Sequence, residues 1–355
     1  MQEIELKFQI PATSLSHIQA EFKQLSLGQD CDLVLRAAYF DTPDRLLGGA
    51  RMALRVRQEG ALWVQTLKAA GSNTMIRVED NQPATPPESG QPILVDLSRH
   101  AGGPAQDALM RVLNWSPKHD PLGTQTDLIE LYRTDITRTR VQVTIGEGTP
   151  YQGVVELALD LGHIHAGQLQ TDVCELEIES ISGSPMAVIM AGRDWVARHG
   201  LWLDTQTKAH RGDRLARQIS APVASKGLSE RKTKNKTKHD ITPAQRWRAA
   251  IENCLETITS NTSELASLEP TDTAALTCAW RRGLRHLRAL CRNMDASTAP
   301  FSHEAMDKAS QLLSQLDLIC QTQSRADAIS LAQSERSTGL CLDILSGLNG
   351  YAYRA

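Results

Sequence analysis

Acids and bases recur at every second position along several short stretches of this chain, a spacing that aims them to one side of a β-strand. Glu3, Glu5 and Lys7 alternate with Ile4, Leu6 and Phe8. The pattern returns in Arg55 and Arg57 about Val56, Thr66 and Lys68 about Leu67, Arg77 and Glu79 about Val78, and Arg138 and Arg140 about Thr139. Glu156 and Asp160 share one face of Val154–Leu161, and Glu175, Glu177 and Glu179 share one face of the next stretch. Any one such strand also reads as an edge strand with a wet outer face. Like charges at i and i+2 repel, however, so a merely structural strand gains nothing from three of them. The arrangement makes sense if a divalent cation neutralises the acids and an anion neutralises the bases. Mg²⁺ and Mn²⁺ take carboxylate and water oxygens, often shared with substrate phosphates. Arg supplies bidentate phosphate contacts and Lys a point charge. Acid-lined and base-lined strands turned toward one lumen therefore imply a metal–polyphosphate site.

The elements that must carry these residues can be read from periodicity. Ser14 is placed to cap a helix with Ile18, Phe22 and Leu25 on one face, ended by Gly28. A strand follows through Tyr39-Phe40-Asp41, then a hairpin turning at Glu59-Gly60-Ala61, then a strand at Met75–Glu79. Residues 81–104, rich in Pro, Gly and Ser, read as a loop with at most one short strand, Ile93-Leu94-Val95, before a helix near 105–113. Strands return at Leu131–Ile136, Arg138–Ile145, Val154–Leu161 and Val173–Ile181, followed by a helix from Pro185 to His199. Thr207–Asp213 closes this half. The expected fold class is α+β: about eight antiparallel strands with flanking helices over residues 1–218, a basic linker over 219–241, and an all-α bundle over 242–355. In that bundle Pro243 fits the first helical position after Thr242, and further helices are expected at Asp272–Met294, His303–Thr322 and Arg325–Leu348.

At 355 residues the chain has room for two domains, and a net charge of −3 argues against a general nucleic-acid binder; no specific nucleic acid is expected as a partner. Seven scattered cysteines without metal-type spacing point to a reduced, cytoplasmic setting. No apolar run reaches the ~20 residues of a membrane span, so a soluble protein is expected. His163 and His165 read as surface-loop histidines and Cys174 as core.

The order and spacing of E-x-E-x-K, Tyr39-Phe40-Asp41-Thr42, Leu54-Arg55-Val56-Arg57, Thr66-Leu67-Lys68, Arg77-Val78-Glu79, Thr134–Arg138, Leu159-Asp160-Leu161-Gly162, Glu175-Leu176-Glu177 and Thr207-Lys208-Ala209 resemble the CYTH family, the triphosphate tunnel metalloenzymes. The resemblance covers about residues 1–217. It implies an eight-stranded antiparallel tunnel that holds triphosphate lengthwise with Mg²⁺ or Mn²⁺. On it, Glu3, Glu5, Glu79, Asp160, Glu175, Glu177 and Glu179 would face the metal. Lys7, Arg55, Arg57, Lys68, Arg77, Arg138 and Lys208 would grip the phosphates, with Arg211 either assisting or pairing at the surface. Tyr39 and Lys68 would form a pair at the leaving phosphate, unless Tyr39 only packs the barrel, and the acids, Glu5 among them, would position the attacking water.

In the helical half, Arg281, Arg285, Arg288 and Arg292 share one face with no acid between them, a stripe suited to polyphosphate or simply to solvent. Thr257–Met294 resembles the opening of a CHAD domain, with Cys278 where that module has histidine, Gly283 interrupting the helix, and about half the module's usual length. The expected activity is hydrolysis of inorganic triphosphate to diphosphate and phosphate. Alternatives on the same tunnel are thiamine-triphosphate or nucleoside-triphosphate hydrolysis and class IV-type adenylate cyclase chemistry. A non-catalytic polyphosphate-binding protein is the alternative of another class.

Overall fold

The structure, a computed structural model, describes residues 2–26, 32–70, 76–103, 106–219, 242–267, 272–292 and 301–352. Apart from Ile219, the linker expected at 219–241 lies outside them, as do the Gly28 helix end and the side chains of Glu3 and Arg77. In chain order the elements are β1 (Gln2–Gln9), α1 (Leu15–Leu25), β2 (Asp32–Asp41), α2 (Leu46–Gly49), β3 (Met52–Glu59), β4 (Leu62–Ala70) and β5 (Ile76–Pro83). Then come α3 (Gln106–Leu113), β6 (Ile129–Ile145), β7 (Gly153–Ala166), β8 (Leu169–Gly183), α4 (Met186–His199), β9 (Trp202–Leu203) and α5 (Lys208–Ile219). The helices α6 (Pro243–Ala266), α7 (Thr273–Cys291), α8 (His303–Thr322), α9 (Arg325–Ala332) and α10 (Glu335–Ala352) follow.

Among the described residues the strands join one antiparallel sheet of nine, in the order β5-β4-β3-β2-β6-β7-β8-β1-β9. The sheet curls far enough that β1 pairs with β8 along Glu5–Gln9 and with β5 along Gln2–Ile4. The strand count thus exceeds the eight expected, because the two-residue β9 adds to β1 at Phe8 and Gln9. The apolar residues of the alternating strands point outward. Leu6, Phe8, Leu157, Leu159, Leu176 and Ile178 are buried in one cluster with Val188, Ile189, Trp195 and Val196 of α4. Each such fully buried side chain stabilises by roughly 1.5–3 kcal/mol, which is what lets the opposite, charged faces be turned inward.

One end of the interior is filled by α5. Its Leu215 and Ala216 pack among Leu35, Tyr39, Tyr132, Ile136, Ile164 and Val173. Gly212 makes this approach possible, since a Cβ there would lie 2.2 Å from the Tyr132 ring. The segment Thr207–Asp213, expected only to close this half, thus opens a helix that runs to Ile219.

Other expectations are corrected. Leu131–Ile136 and Arg138–Ile145 are one strand, β6, because nothing at Thr137 breaks the ladder. The 81–104 loop is without the strand allowed for at Ile93–Val95; the backbone of Asp96 there bonds both ends of the Gln65 amide, at 2.8 and 2.9 Å, ahead of a 3₁₀ turn at Leu97–His100. His163 and His165 lie within β7 rather than in a loop, and His163 is 3.5 Å from Asp172 across the β7–β8 pair. The Ser14 hydroxyl caps nothing and donates to the His199 carbonyl at 2.7 Å.

In the second half, Thr242 and Gln245 form a reciprocal capping box around Pro243. The helix expected from Arg325 to Leu348 is split into α9 and α10, and the Ser334 hydroxyl at the break accepts from the Ser337 amide. Gly283 does not interrupt α7. It sits where α7 crosses α6, and a Cβ there would lie 3.1–3.2 Å from Ile258 and Thr257. No acid interrupts the arginine stripe on α7, but Asp317 of α8 pairs with Arg281 at 2.7 Å and Arg285 at 3.2 Å. The helices are fastened to the sheet half by Arg193 to Asp343 at 2.5 Å and by the Leu203 amide to the Thr338 hydroxyl at 3.1 Å. Among the described residues no helix is long and apolar enough to cross a membrane.

Candidate active site

The strand register sets the inward charges in rows. Arg138 of β6 is opposite Asp160 of β7, which is opposite Glu175 of β8, which is opposite Gln9 of β1. Two residues along, Arg140, Ala158, Glu177 and Lys7 are aligned in the same way. A third row runs Gln142, Glu156, Glu179, Glu5. On the other wall Lys68 is opposite Glu79, and Tyr39 lies between Arg55 and Tyr132.

These rows are knitted by ion pairs. Arg138 grips Asp160 with two hydrogen bonds of 2.6 Å and also donates to Glu177. Lys208, at the start of α5, reaches Asp160 at 2.6 Å, Glu177 at 2.9 Å, and Glu175. Lys7 pairs with Glu175 at 3.3 Å and Asp204 at 3.1 Å, and Arg211 reaches Glu175 at 3.5 Å. Four cations (Lys7, Arg138, Lys208, Arg211) thus face four carboxylates (Asp160, Glu175, Glu177, Asp204) in a region where Asp160 and Glu175 are 0% exposed. Oxygens of Asp160, Glu175 and Glu177 all lie within 4.8 Å of one another. That is an all-carboxylate donor set of the kind hard divalent cations take, so the residues fit such an ion.

Across the interior, Arg55 is 3.5 Å from the Tyr39 hydroxyl and from Glu79, Lys68 is 3.1 Å from Glu79, and Arg57 bonds Glu59 at 2.6 Å. The Arg55 Nε–H is buried with no acceptor among the described residues, which fits an anionic ligand. Tyr39 also stacks on Tyr132 with ring centres 4.8 Å apart. Burial alone would raise the Tyr39 phenol, but the charges of Arg55, Lys208 and Arg57 outweigh it and bring it below its ordinary value. Burial and the neighbouring Arg55 and Arg138 draw the Arg57 guanidinium down to about 10, still charged at neutral pH.

On the acid side, burial would raise the carboxyls of Glu175 and Glu177, but Lys208 with Lys7 or Arg138 overrides it. Glu175 is held at about 2 and Glu177 well below the ordinary 4.5. A carboxylate lowered in the folded state contributes stability above its unfolded value and loses it as pH falls through the folded one. Unfolding free energy is therefore expected to decline between about pH 4.5 and about 2. Denaturant titrations across that window check this, and Glu175→Gln should flatten the slope.

The interior is a cavity of about 1040 Å³. Glu5, Lys7, Tyr39, Arg55, Arg57, Lys68, Glu79, Arg138, Asp160, Glu177, Glu179 and Lys208 line it. The structure therefore brings all the expected side chains it describes to one cavity or, for Glu175, into the ion-pair network bordering it. Glu3 and Arg77 are paired with each other in the β1–β5 register, with no side chain described. Arg211 is half-buried: it reaches Glu175 and also donates to the Asp172 carbonyl.

Sequence reasoning missed several contributors. Gln9 bonds Glu175 at 3.1 Å and Asp204 at 2.7 Å, and the i, i+2 spacing from Lys7 could have found it. The Gln206 carbonyl accepts from Lys7, while its side-chain amide donates to the Ser263 carbonyl of α6 at 2.6 Å. One polar face of α6, with Glu252, Glu256, Thr259 and Glu264, walls the same cavity. No local pattern announces that.

The curled sheet with inward charges defines a tunnel-like ionic pocket, and residues 1–212 match the CYTH domain family. The chain belongs to that family. It is 27% identical over 215 residues to an inorganic triphosphatase of Haemophilus influenzae, covering 60% of this chain and 54% of that protein, so it spans about half the relative's length. Among solved structures, a candidate adenylate cyclase from Bacillus halodurans is 21% identical with a TM-score of 0.35, covering 55% of this chain and 88% of that one. A candidate adenylyl cyclase from Hippeastrum, described as having dominant triphosphatase activity, is 18% identical with a TM-score of 0.35, covering 62% and 98%.

Proposed function

We propose that the chain hydrolyses a linear triphosphate with the help of a divalent cation, Mg²⁺ or Mn²⁺, and that inorganic triphosphate is the substrate, split to diphosphate and phosphate. Residues 1–218 would form the catalytic unit, 219–241 a linker and 242–355 a CHAD-like helical unit. The observation that carries the reading is one cavity walled by Asp160 and Glu177, with Glu175 clustered just behind them, and by Arg55, Arg57 and Lys68. The activity in the name of the Haemophilus relative and the family membership support it.

Asp160, Glu175 and Glu177 would hold the cation, and Glu5, Glu79, Glu179 and Glu3 would add negative charge to the metal-binding face. When bound, such a cation neutralises phosphate oxygens and lowers the pKa of coordinated water. Lys7, Arg55, Arg57, Lys68, Arg138 and Lys208 would hold the phosphates in line and spread the charge that develops on the transferred phosphoryl group, and the strand position of Arg77 would add to them. Glu5 would orient the attacking water and take its proton as the new P–O bond forms and the bridging P–O bond breaks. Tyr39, with its phenol made more acidic by Arg55, would donate to the leaving phosphate oxygen, with Lys68 beside it.

Phosphate release from triphosphate, ATP and thiamine triphosphate, each with Mg²⁺, with Mn²⁺ and with EDTA, tests this. Release from inorganic triphosphate is expected to be fastest, to stop with EDTA and to return on adding either ion. Binding of triphosphate without release under any condition would establish the polyphosphate-binding alternative.

A further inference from the structure

The ammonium of Lys208 contacts one oxygen from each of Asp160, Glu175 and Glu177, the same three carboxylates whose oxygens cluster within 4.8 Å. Its side chain is 13% exposed and is held there by α5, which Gly212 seats against Tyr132. A divalent cation drawing on the trio needs those oxygens, and two cations sharing them would repel each other across a few ångströms of low-dielectric interior. Unlike Lys7 and Lys68, which grow from strand walls, Lys208 grows from the start of the helix α5. Its four-carbon stem can swing from the carboxylates toward a phosphate chain without moving the sheet.

We infer that Lys208 is a built-in counter-cation of the metal centre: it competes with the divalent ion for the carboxylate trio and gives way when a triphosphate arrives to receive its charge. The inference rests on the triphosphate-hydrolase reading and adds to it an order of assembly. Metal alone binds weakly because it must displace Lys208. Triphosphate, by drawing Lys208 off, raises metal affinity, and by linkage the metal raises triphosphate affinity by the same factor.

Calorimetric titration of Mn²⁺ into the full chain, wild type and Lys208→Met, with no phosphate present, tests this without any turnover. A parallel series uses a non-hydrolysable imido analogue of triphosphate. Lys208→Met is expected to bind Mn²⁺ alone at least about tenfold more tightly than wild type (a shift of 1.4 kcal/mol or more). The analogue's enhancement of Mn²⁺ binding should shrink in the variant, and its melting temperature should start lower and rise further with Mn²⁺. Lys208→Gln should behave in the same way, whereas Lys208→Arg, which keeps the charge, should not. A variant that folds only when Mn²⁺ is supplied supports the same conclusion. One that fails to fold even with Mn²⁺ overturns it, because the metal then does not replace the lysine. Equal or weaker Mn²⁺ binding by Lys208→Met would overturn the inference while leaving the metal centre standing. Absence of Mn²⁺ binding to every variant, with or without the analogue, would remove the metal centre and the inference with it.

Discussion

Asp160→Asn is expected to lower folding stability by about 3–5 kcal/mol and to cut phosphate release from triphosphate by about 10³-fold. The substitution keeps the side chain's shape, so no cavity opens. What changes is charge in a fully buried place. Asp160 is 0% exposed and receives two hydrogen bonds from Arg138 and one ion pair from Lys208. Neutralising it leaves four cations facing three carboxylates in the network, and an uncompensated buried charge is what makes the loss of one partner costly. An asparagine also presents one oxygen where the carboxylate presents two, so the donor set loses charge as well as an atom. Denaturant unfolding at neutral pH reads the stability change, and phosphate release at saturating Mg²⁺ reads the activity. An Asp160→Asn protein with wild-type stability would mean that the network is not assembled as described.

Arg55→Met is expected to reduce kcat/KM for triphosphate by about 10²-fold while leaving the fold nearly as stable. Glu79 keeps its pairing with Lys68 at 3.1 Å, so no carboxylate is stranded. The loss falls instead on the anion, since Arg55 carries a buried Nε–H with no acceptor among the described residues. The same change should be visible at Tyr39. Burial raises that phenol and the Arg55 charge is the largest influence opposing it, so Arg55→Met should move its ionisation upward. A spectrophotometric titration of the tyrosines, with Tyr39→Phe identifying the signal, measures the shift. A drop in activity with no change at Tyr39 would place Arg55 elsewhere than beside the phenol.

Much of the sheet half was legible because period-two alternation encodes which face each residue takes, independently of its neighbours. Glu5 and Lys7 inward with Leu6 and Phe8 outward follow from the pattern alone, and burial of Phe8 against α4 is its other half. Which charges meet is a different matter. Arg138 finds Asp160 because of the β6–β7 register, and register depends on turns and packing that no single strand records. The Asp204–Thr207 segment carries no periodicity, so Gln206 as the link between Lys7 and α6 could not be read. Nor could the polar stripe of α6, since a helix face that lines a cavity looks the same in sequence as one that meets solvent. Gly283 shows the reverse error. Taken as a break on propensity, it serves as the smallest surface at a helix crossing, a case of tertiary packing overriding local preference.

The claim on which the rest depends is that inward charges bind metal and phosphate in one interior space. Diffraction from crystals grown with Mn²⁺ and the imido analogue, recorded at the manganese edge, addresses it directly. The account predicts an anomalous peak bounded by Asp160, Glu175 and Glu177, with the phosphate chain running past Lys7, Arg55, Arg57, Lys68 and Arg138. A peak away from that trio, or a phosphate chain lying on the arginine face of α7 with the cavity free of it, would contradict it.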